Sequence, residues 1–184
     1  AATTQIRDEV ITSIAEVMKN NYGNPSSSHS FGRSSKTLIE KSRKSIAGYL
    51  NVSAGEIFFT SGGTEADNMA LYSSVTQMNV KHIITSVIEH HAVGHTVESM
   101  VQLGKARVSY VKLDSNGNVD LKDLERLLQS EDRTMVSLMH ANNEIATLLP
   151  IYEVSALCRK YNALFHSDTV QTMGHYAFDL QKLD

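Results

Sequence analysis

The chain lacks most features that would mark a secreted, membrane-embedded or nucleic-acid-binding protein. It has one cysteine, Cys158, among 184 residues, so no internal disulfide can form and a reducing compartment such as the cytoplasm is expected. The 17 Lys and Arg residues are scattered and outnumbered by 20 Asp and Glu residues, which argues against nucleic acid as a partner. No apolar run reaches transmembrane length, and the first residues show no signal-peptide pattern, so no membrane partner is expected.

Short apolar segments alternate with amphipathic ones along most of the chain. This alternation predicts an α/β fold with a mostly parallel sheet and crossover helices. Helices are predicted over Asp8–Asn20, Gly32–Leu50, Thr64–Val75, His91–Leu103, Leu121–Leu128 and Ile151–Tyr161. Strands are predicted over Ile57–Thr60, Lys81–Thr85, Arg107–Val111, Thr134–Met139 and Ala163–Ser167. Since ligands of such folds bind at the carboxyl ends of the strands, the residues that follow each strand are the candidates for function.

The segment Ser61-Gly62-Gly63-Thr64-Glu65 lies between a predicted strand and a predicted helix. Glycines let the backbone approach an anion closely, Thr64 offers a hydroxyl, and the start of a helix carries free N–H groups and a partial positive charge. A phosphate would be held well there. The alternative is an ordinary turn in which a Ser or Thr side chain caps the helix.

Asp168 and Gln171 follow the last predicted strand. A buried carboxylate can keep a pyridinium nitrogen protonated, which makes a pyridoxal ring an electron sink. Gln171 could then bond to a substituent of the ring. The alternative is that Asp168 caps the segment that follows it and that Gln171 completes the cap.

Three further positions follow strands or lie in loops. His90 could stack on a flat cofactor and move protons, or it could bond to the backbone at the entry of a helix. Asn142 and Asn143 could bind a substrate carboxylate or a ring oxygen, or they could serve turn formation. His29 lies in a Gly/Pro/Ser-rich loop, either at a site entrance or exposed to solvent.

Cys158 is a candidate nucleophile, and His91 and His95 are candidate metal ligands. Cys158 lies beside the apolar stripe of its helix, which favours a small core residue over a nucleophile. His91 and His95 share one helix face with Glu98 nearby, but there is no HExxH motif and no cysteine pair. We therefore expect no metal site.

Five motifs together resemble the class V aminotransferase group of pyridoxal-phosphate enzymes, and specifically the cysteine desulfurases. They are GNPSSSHSFGR, FFTSGGTEADN, HIITSVIEHHAV, SLMHANNEIAT and FHSDTVQTMG, in the order and spacing of that family, after the opening AATT. The resemblance implies an incomplete large domain of the fold-type I transferase architecture. Residues 1–20 would form an N-terminal segment and first helix and residues 21–184 the cofactor-binding domain, without the C-terminal small domain.

The resemblance also assigns roles around pyridoxal 5'-phosphate. Gly63 and Thr64 match the phosphate-binding turn, Asp168 the partner of the ring nitrogen, and Gln171 the donor to the ring hydroxyl oxygen. His90 matches the histidine that stacks on the ring and acts in proton transfer, making it the candidate catalytic residue. 

The substrate side of the resemblance rests on the NNEIAT motif. Asn143 matches the asparagine near the substrate carboxylate and the ring oxygen. Ala146 departs from the family, in which most members have glycine at that position. The extra methyl group is expected to stiffen this loop without abolishing binding.

As an enzyme, the protein would convert L-cysteine to L-alanine and leave a persulfide for a sulfur-acceptor protein, as in iron–sulfur cluster assembly. A cytoplasmic homodimer is expected. The family's Schiff-base lysine lies beyond Asp184, and Lys182 is not its equivalent, so residues 1–184 alone are expected to be inactive. A selenocysteine lyase, another class V aminotransferase and a non-catalytic truncated binding or dimerisation module remain as alternatives.

Overall fold

A computed structural model describes residues 3–183 of the chain. In chain order its elements are α1 (Asp8–Asn20), α2 (Ser30–Leu50), a 3₁₀ turn (Ala54–Glu56), α3 (Gly63–Thr76), β1 (His82–Thr85), α4 (His91–Gln102), β2 (Arg107–Tyr110), α5 (Leu121–Leu128), β3 (Thr134–Ser137), α6 (Ile151–Lys160), β4 (Leu164–His166) and α7 (Leu180–Leu183).

The four strands form one sheet in the order β2-β1-β3-β4, and every neighbouring pair is parallel. Ile83 of β1 lies opposite Val108 of β2 and Met135 of β3, and Val136 of β3 lies opposite Phe165 of β4. The predicted α/β fold with a mostly parallel sheet is thereby confirmed. Because all strands run the same way, their carboxyl ends meet at one edge of the sheet.

The two faces of the sheet pack against different helices. Ile83 belongs to a buried cluster with residues of α3 and α4, whereas Ile84 belongs to a second buried cluster with residues of α5 and α6. Successive side chains of a strand point to opposite faces, so the sheet is covered on both sides. This burial explains why β1 and β3 are apolar throughout their centres and not only at alternate positions.

The predicted strand Ile57–Thr60 is wrong. Ile57 follows the 3₁₀ turn with extended backbone angles, φ −98° and ψ 121°, but no strand pairs with this segment within residues 3–183. Phe58 is 72% exposed. An apolar run with strand-like backbone becomes a strand only when a neighbouring segment supplies the hydrogen-bond ladder.

Other boundaries differ by one or two residues. Helix α2 begins at Ser30, two residues before its predicted start, because the Nδ1 atom of His29 accepts a hydrogen bond from Gly32 N (3.2 Å) and so caps the helix. Helix α5 has the predicted bounds. The 3₁₀ turn and α7 were not predicted, since both are too short to show a periodic apolar pattern.

The chain divides into two compact units. One extends to Phe58 and includes Phe178–Leu180, and the other comprises Phe59–Ala177 with residues 181–183. In the first unit α1 has no buried residue, and α2 buries Gly32, Ser35 and Ala47. The sheet and both apolar clusters lie in the second unit, which is called the sheet unit below.

The predicted domain ranges, 1–20 and 21–184, stay predictions, and Ala1, Ala2 and Asp184 fall outside the described residues. Within 3–183, no helix has both the length and the apolar character that crossing a bilayer requires.

Candidate active site

Three loops meet at the carboxyl edge of the sheet, one after each of β1, β3 and β4. The backbone N–H of His140, after β3, donates to the carbonyl oxygen of Asp168, after β4, at 2.9 Å. The side-chain amide of Asn142 donates to the carbonyl oxygen of Ile88, after β1, at 2.7 Å. The loop after β3 therefore fastens the other two and gives the edge a fixed shape.

The start of α3 lies against the loop after β4. A Cβ atom placed on Gly63 would come within 2.8 Å of the Cγ2 atom of Val170, so a larger residue would require a shift. Val170 is two residues beyond Asp168. The structure therefore brings the predicted phosphate-binding turn and the predicted ring-nitrogen partner to the same edge of the sheet.

The first N–H groups of α3 are not capped by the residue that precedes the helix. Gly62 holds the N-cap position and has no side chain to offer, and the hydroxyl of Thr64 bonds to no residue in 3–183. Glu65 instead accepts a hydrogen bond from Ser61 N at 2.5 Å, which lowers the pKa of Glu65. Thr64 is exposed. The helix start thus keeps donors available for an anion.

Asp168 is buried, with 7% of its surface exposed. Its Oδ1 atom accepts a hydrogen bond from Val170 N at 2.9 Å, so the predicted capping of the following segment is present. No cation pairs with this carboxylate among the described residues. Gln171 is partly buried, and its side-chain amide bonds to no described residue.

His90 occupies the N-cap position of α4. Its Nδ1 atom accepts a hydrogen bond from Ala92 N at 3.2 Å, which is the backbone-bonded arrangement that the sequence left open. That bond places the ring proton of neutral His90 on Nε2. The ring is exposed, so Nε2 remains able to meet a ligand.

The two asparagines after β3 have different environments. The Oδ1 atom of Asn142 accepts hydrogen bonds from Glu144 N (2.8 Å) and Ile145 N (3.0 Å), so Asn142 shapes the loop. The side chain of Asn143 is partly buried and bonds to no described residue. Asn143 is therefore the asparagine that a ligand can reach. Ala146 in the same loop has φ 59°, a left-handed conformation that favours glycine.

Sequence reasoning missed Glu89, the residue before His90. Its Oε1 atom accepts a hydrogen bond from the hydroxyl of Ser86 (2.7 Å), and its Oε2 atom accepts one from Met139 N (2.9 Å). Burial raises the pKa of the Glu89 carboxyl from 4.5 to about 7; the two hydrogen bonds oppose this rise, and the charges of Asp168 and Asp67 add to it. Its only sequence signal is its position in a loop after a buried strand.

A second missed group connects α3 to the sheet. The Nε2 atom of His166 on β4 lies 3.4 Å from Oδ1 of Asp67 on α3, and its Nδ1 atom lies 2.9 Å from the hydroxyl of Ser137 on β3. Asp67 and Ser137 are buried. These contacts hold the first turns of α3 over the ends of β3 and β4.

The remaining candidates lie away from this edge or have structural roles. Burial raises the pKa of the Cys158 thiol to about 12, so the thiol stays protonated and Cys158 is a core residue, as predicted. The rings of His91 and His95 stack with centroids 5.1 Å apart. Within residues 3–183 no third His, Cys, Asp or Glu joins them in a cluster suited to a metal ion.

The parallel sheet defines an α/β protein, and a helix start and a buried carboxylate at its carboxyl edge form the candidate ligand site. The family model "Aminotransferase class-V" matches residues 1–184. The chain belongs to this family.

Individual relatives agree with that assignment. The chain is 43% identical to a protein of Dictyoglomus turgidum named cysteine desulfurase IscS, over 100% of this chain and 46% of the relative. A solved structure titled "NIFS-LIKE PROTEIN" matches with 40% identity and a TM-score of 0.91, over 100% of this chain and 51% of that one. Another, titled "SspA in complex with cysteine", matches with 26% identity and a TM-score of 0.91, over 99% and 52%.

The predicted resemblance to cysteine desulfurases is thereby confirmed. The chain spans about half the length of the curated relatives that it matches.

Proposed function

We propose that this chain supplies the cofactor-binding site of a cysteine desulfurase that uses pyridoxal 5'-phosphate. The observation that carries the proposal is the joint placement of the α3 start and the buried Asp168 at one sheet edge, where Gly63 abuts Val170. The relatives named cysteine desulfurase support the choice of reaction.

The residues present fit this cofactor. A buried carboxylate without a cationic partner is costly, and a protonated pyridine nitrogen would supply the missing positive group beside Asp168. The free N–H groups at the start of α3 and the unpaired hydroxyl of Thr64 are suited to the phosphate. The helix start and the buried carboxylate thus match the two ends of the cofactor, its phosphate and its protonated ring nitrogen.

When bound, pyridoxal phosphate supplies an electron sink for the substrate's α-carbon. The side chains of this chain hold and tune it. Thr64 and the α3 amides bind the phosphate, Asp168 accepts the hydrogen bond of the ring nitrogen and keeps it protonated, and Gln171 donates to the ring oxygen. The Thr64 hydroxyl and the Gln171 amide bond to no described residue, and Asp168 has no cationic partner within residues 3–183.

His90 and Asn143 serve proton transfer and substrate binding. With Nδ1 engaged by Ala92 N, His90 presents Nε2 as the atom that holds or moves a proton. Asn143 orients the carboxylate of L-cysteine and the ring oxygen through its unengaged amide.

The products, the sulfur acceptor, the oligomeric state and the compartment belong to the same proposal. The products are L-alanine and a persulfide sulfur, which passes to a sulfur-acceptor protein such as one that assembles iron–sulfur clusters. We further propose a homodimer, as the resemblance to the family implies, in the cytoplasm, a reducing compartment that the single cysteine fits.

The test uses the protein encoded by the complete reading frame that contains this sequence. Wild-type protein with pyridoxal phosphate and L-cysteine should release alanine, and Asp168→Asn should lower kcat by on the order of a hundred- to a thousandfold. Asp120→Asn is the matched control, because asparagine also caps helices. No alanine from wild type, or full activity of Asp168→Asn, would contradict the proposal.

A parallel assay with selenocysteine separates the desulfurase from a selenocysteine lyase. A desulfurase should turn over cysteine at a rate comparable to selenocysteine, whereas a lyase should act on selenocysteine alone. Cofactor binding without any turnover would instead indicate a non-catalytic module.

A further inference from the structure

Glu89 belongs to the loop that carries His90, and its carboxyl reaches the end of β3, from which the chain continues to Asn143. The Oε2 atom of Glu89 accepts the N–H of Met139 at 2.9 Å, at the end of β3. One residue earlier, Ile88 O accepts from the amide of Asn142 at 2.7 Å. Two hydrogen bonds, both donated from the β3 side and both accepted in the His90 turn, therefore join this turn to the loop that continues to Asn143.

A second contact of Glu89, with Ser86, lies within the turn itself. The hydroxyl of Ser86 lies 2.7 Å from Glu89 Oε1 and also accepts a hydrogen bond from Ile88 N at 3.4 Å. Both carboxyl oxygens of Glu89 are thus engaged, one inside its own turn and one across to β3. The engaged carboxyl therefore fixes the turn that ends at His90, the N-cap residue of α4.

We propose that Glu89 is the positioning residue of this site, and that its carboxyl, hydrogen-bonded to the Ser86 hydroxyl and to Met139 N, fastens the turn carrying His90 to the end of β3. The inference rests on the proposed function. It assigns to the residue beside His90 a role that acts through His90 and Asn143.

The groups around Glu89 favour the neutral acid. Burial raises the pKa of Glu89 most, and the charges of Asp168, in the loop after β4, and Asp67, on α3, add to the rise. His166 contacts Asp67 at 3.4 Å, and burial lowers the pKa of His140, after β3, which favours its uncharged form. His90 is the adjacent residue. Burial together with two neighbouring carboxylates makes a third carboxylate unfavourable at this edge.

This arrangement gives a signed dependence of stability on pH. The unfolded Glu89 loses its proton near 4.5, whereas the folded one keeps it to about 7. Between these values the native state binds more protons, so Glu89 makes the folding free energy less favourable as pH rises, and the full penalty is present above about 7.

The experiment compares Glu89→Gln and Glu89→Ala in the protein of the complete reading frame, with the exposed Glu98→Gln as the control. Glutamine keeps an acceptor for Met139 N and places a polar amide beside the Ser86 hydroxyl, but it cannot ionise. Urea unfolding between pH 5 and 8 should show a decline in wild type and Glu98→Gln that is absent in Glu89→Gln. The same decline in Glu89→Gln would overturn the proposal.

Cofactor titration supplies the second readout. Glu89→Ala loses both hydrogen bonds, so its Kd for pyridoxal phosphate should rise at least tenfold above that of Glu89→Gln at pH 6. Equal values in the two variants would overturn the positioning role. Failure of the proposed function would instead appear as no cofactor binding by wild type, with the pH difference between wild type and Glu89→Gln unchanged.

Discussion

Helices α5 and α3 both begin in the sheet unit, and their first turns are built in opposite ways. Asp120 caps α5 by accepting hydrogen bonds from Lys122 N (2.9 Å) and Asp123 N (3.2 Å). Helix α3 begins at a glycine N-cap that offers no such side chain. The capped start satisfies its own N–H groups, and the open start leaves them for a ligand.

The acidic residues near the two helix starts differ in the same way. Asp123 of α5 accepts from Lys112 N at 3.0 Å and pairs with Arg126 at 2.7 Å, and these contacts lower its pKa. Asp168, beside the start of α3, has no cationic partner within residues 3–183. Side chains around α5 pair with one another, whereas those around α3 leave an open helix start and a carboxylate without a cation, as the proposed cofactor site requires.

Placing a negative charge at the open start should have the largest effect. Thr64→Asp would repel the phosphate and should weaken pyridoxal phosphate binding by on the order of a hundredfold. The same aspartate should leave the cofactor-free protein as stable or up to about 0.5 kcal/mol more stable, because it favours the helix dipole. Absorbance titration and urea unfolding check both results.

Thr64→Ser is the control for that variant, because it keeps the hydroxyl and should bind the cofactor within about threefold of wild type. Unchanged affinity in Thr64→Asp would show that the start of α3 does not bind phosphate.

Removing the cap of α5 should lower stability and leave cofactor affinity unchanged, which is the reverse of the result expected for Thr64→Asp. The effect should also be smaller. Asp120→Ala leaves two N–H groups without their acceptor and should lower the free energy of unfolding by about 1 kcal/mol. Its affinity for pyridoxal phosphate should not change. A loss of affinity comparable to that of Thr64→Asp would remove the distinction between the two helix starts.

The smallest effect is expected in the loop that carries Asn143. Ala146 has φ 59°, and glycine would remove about 1 kcal/mol of backbone strain. Part of that gain is offset because glycine also frees the unfolded chain, so Ala146→Gly should add about 0.5 kcal/mol to stability. Thermal unfolding measures it, and destabilisation would show that the methyl group packs favourably.

The same comparison explains which parts of the fold could be predicted from sequence. Helix α5 was predicted with its observed bounds because its leucine stripe is a local signal. Ile57–Thr60 has the composition of a strand but lacks a ladder partner, and such a partner is a long-range property that composition does not encode.

The site could be predicted in part for a similar reason. The positions of Gly63, Asp168 and Asn143 after strands or before a helix are visible in the sequence, and the structure brings their segments to one edge. Their roles toward a cofactor stay predictions. Glu89 was missed because its significance comes from burial, from a hydrogen bond with Met139 and from the charge of Asp168, two residues that are distant along the chain.

The most direct measurement is a crystal structure of the protein of the complete reading frame with pyridoxal phosphate. The phosphate oxygens should lie about 2.7–3.2 Å from the Thr64 hydroxyl and the first α3 amides, and the ring nitrogen should lie at the same distance from an Asp168 oxygen. A phosphate bound away from α3, or a ring nitrogen that faces a group other than Asp168, would contradict the account.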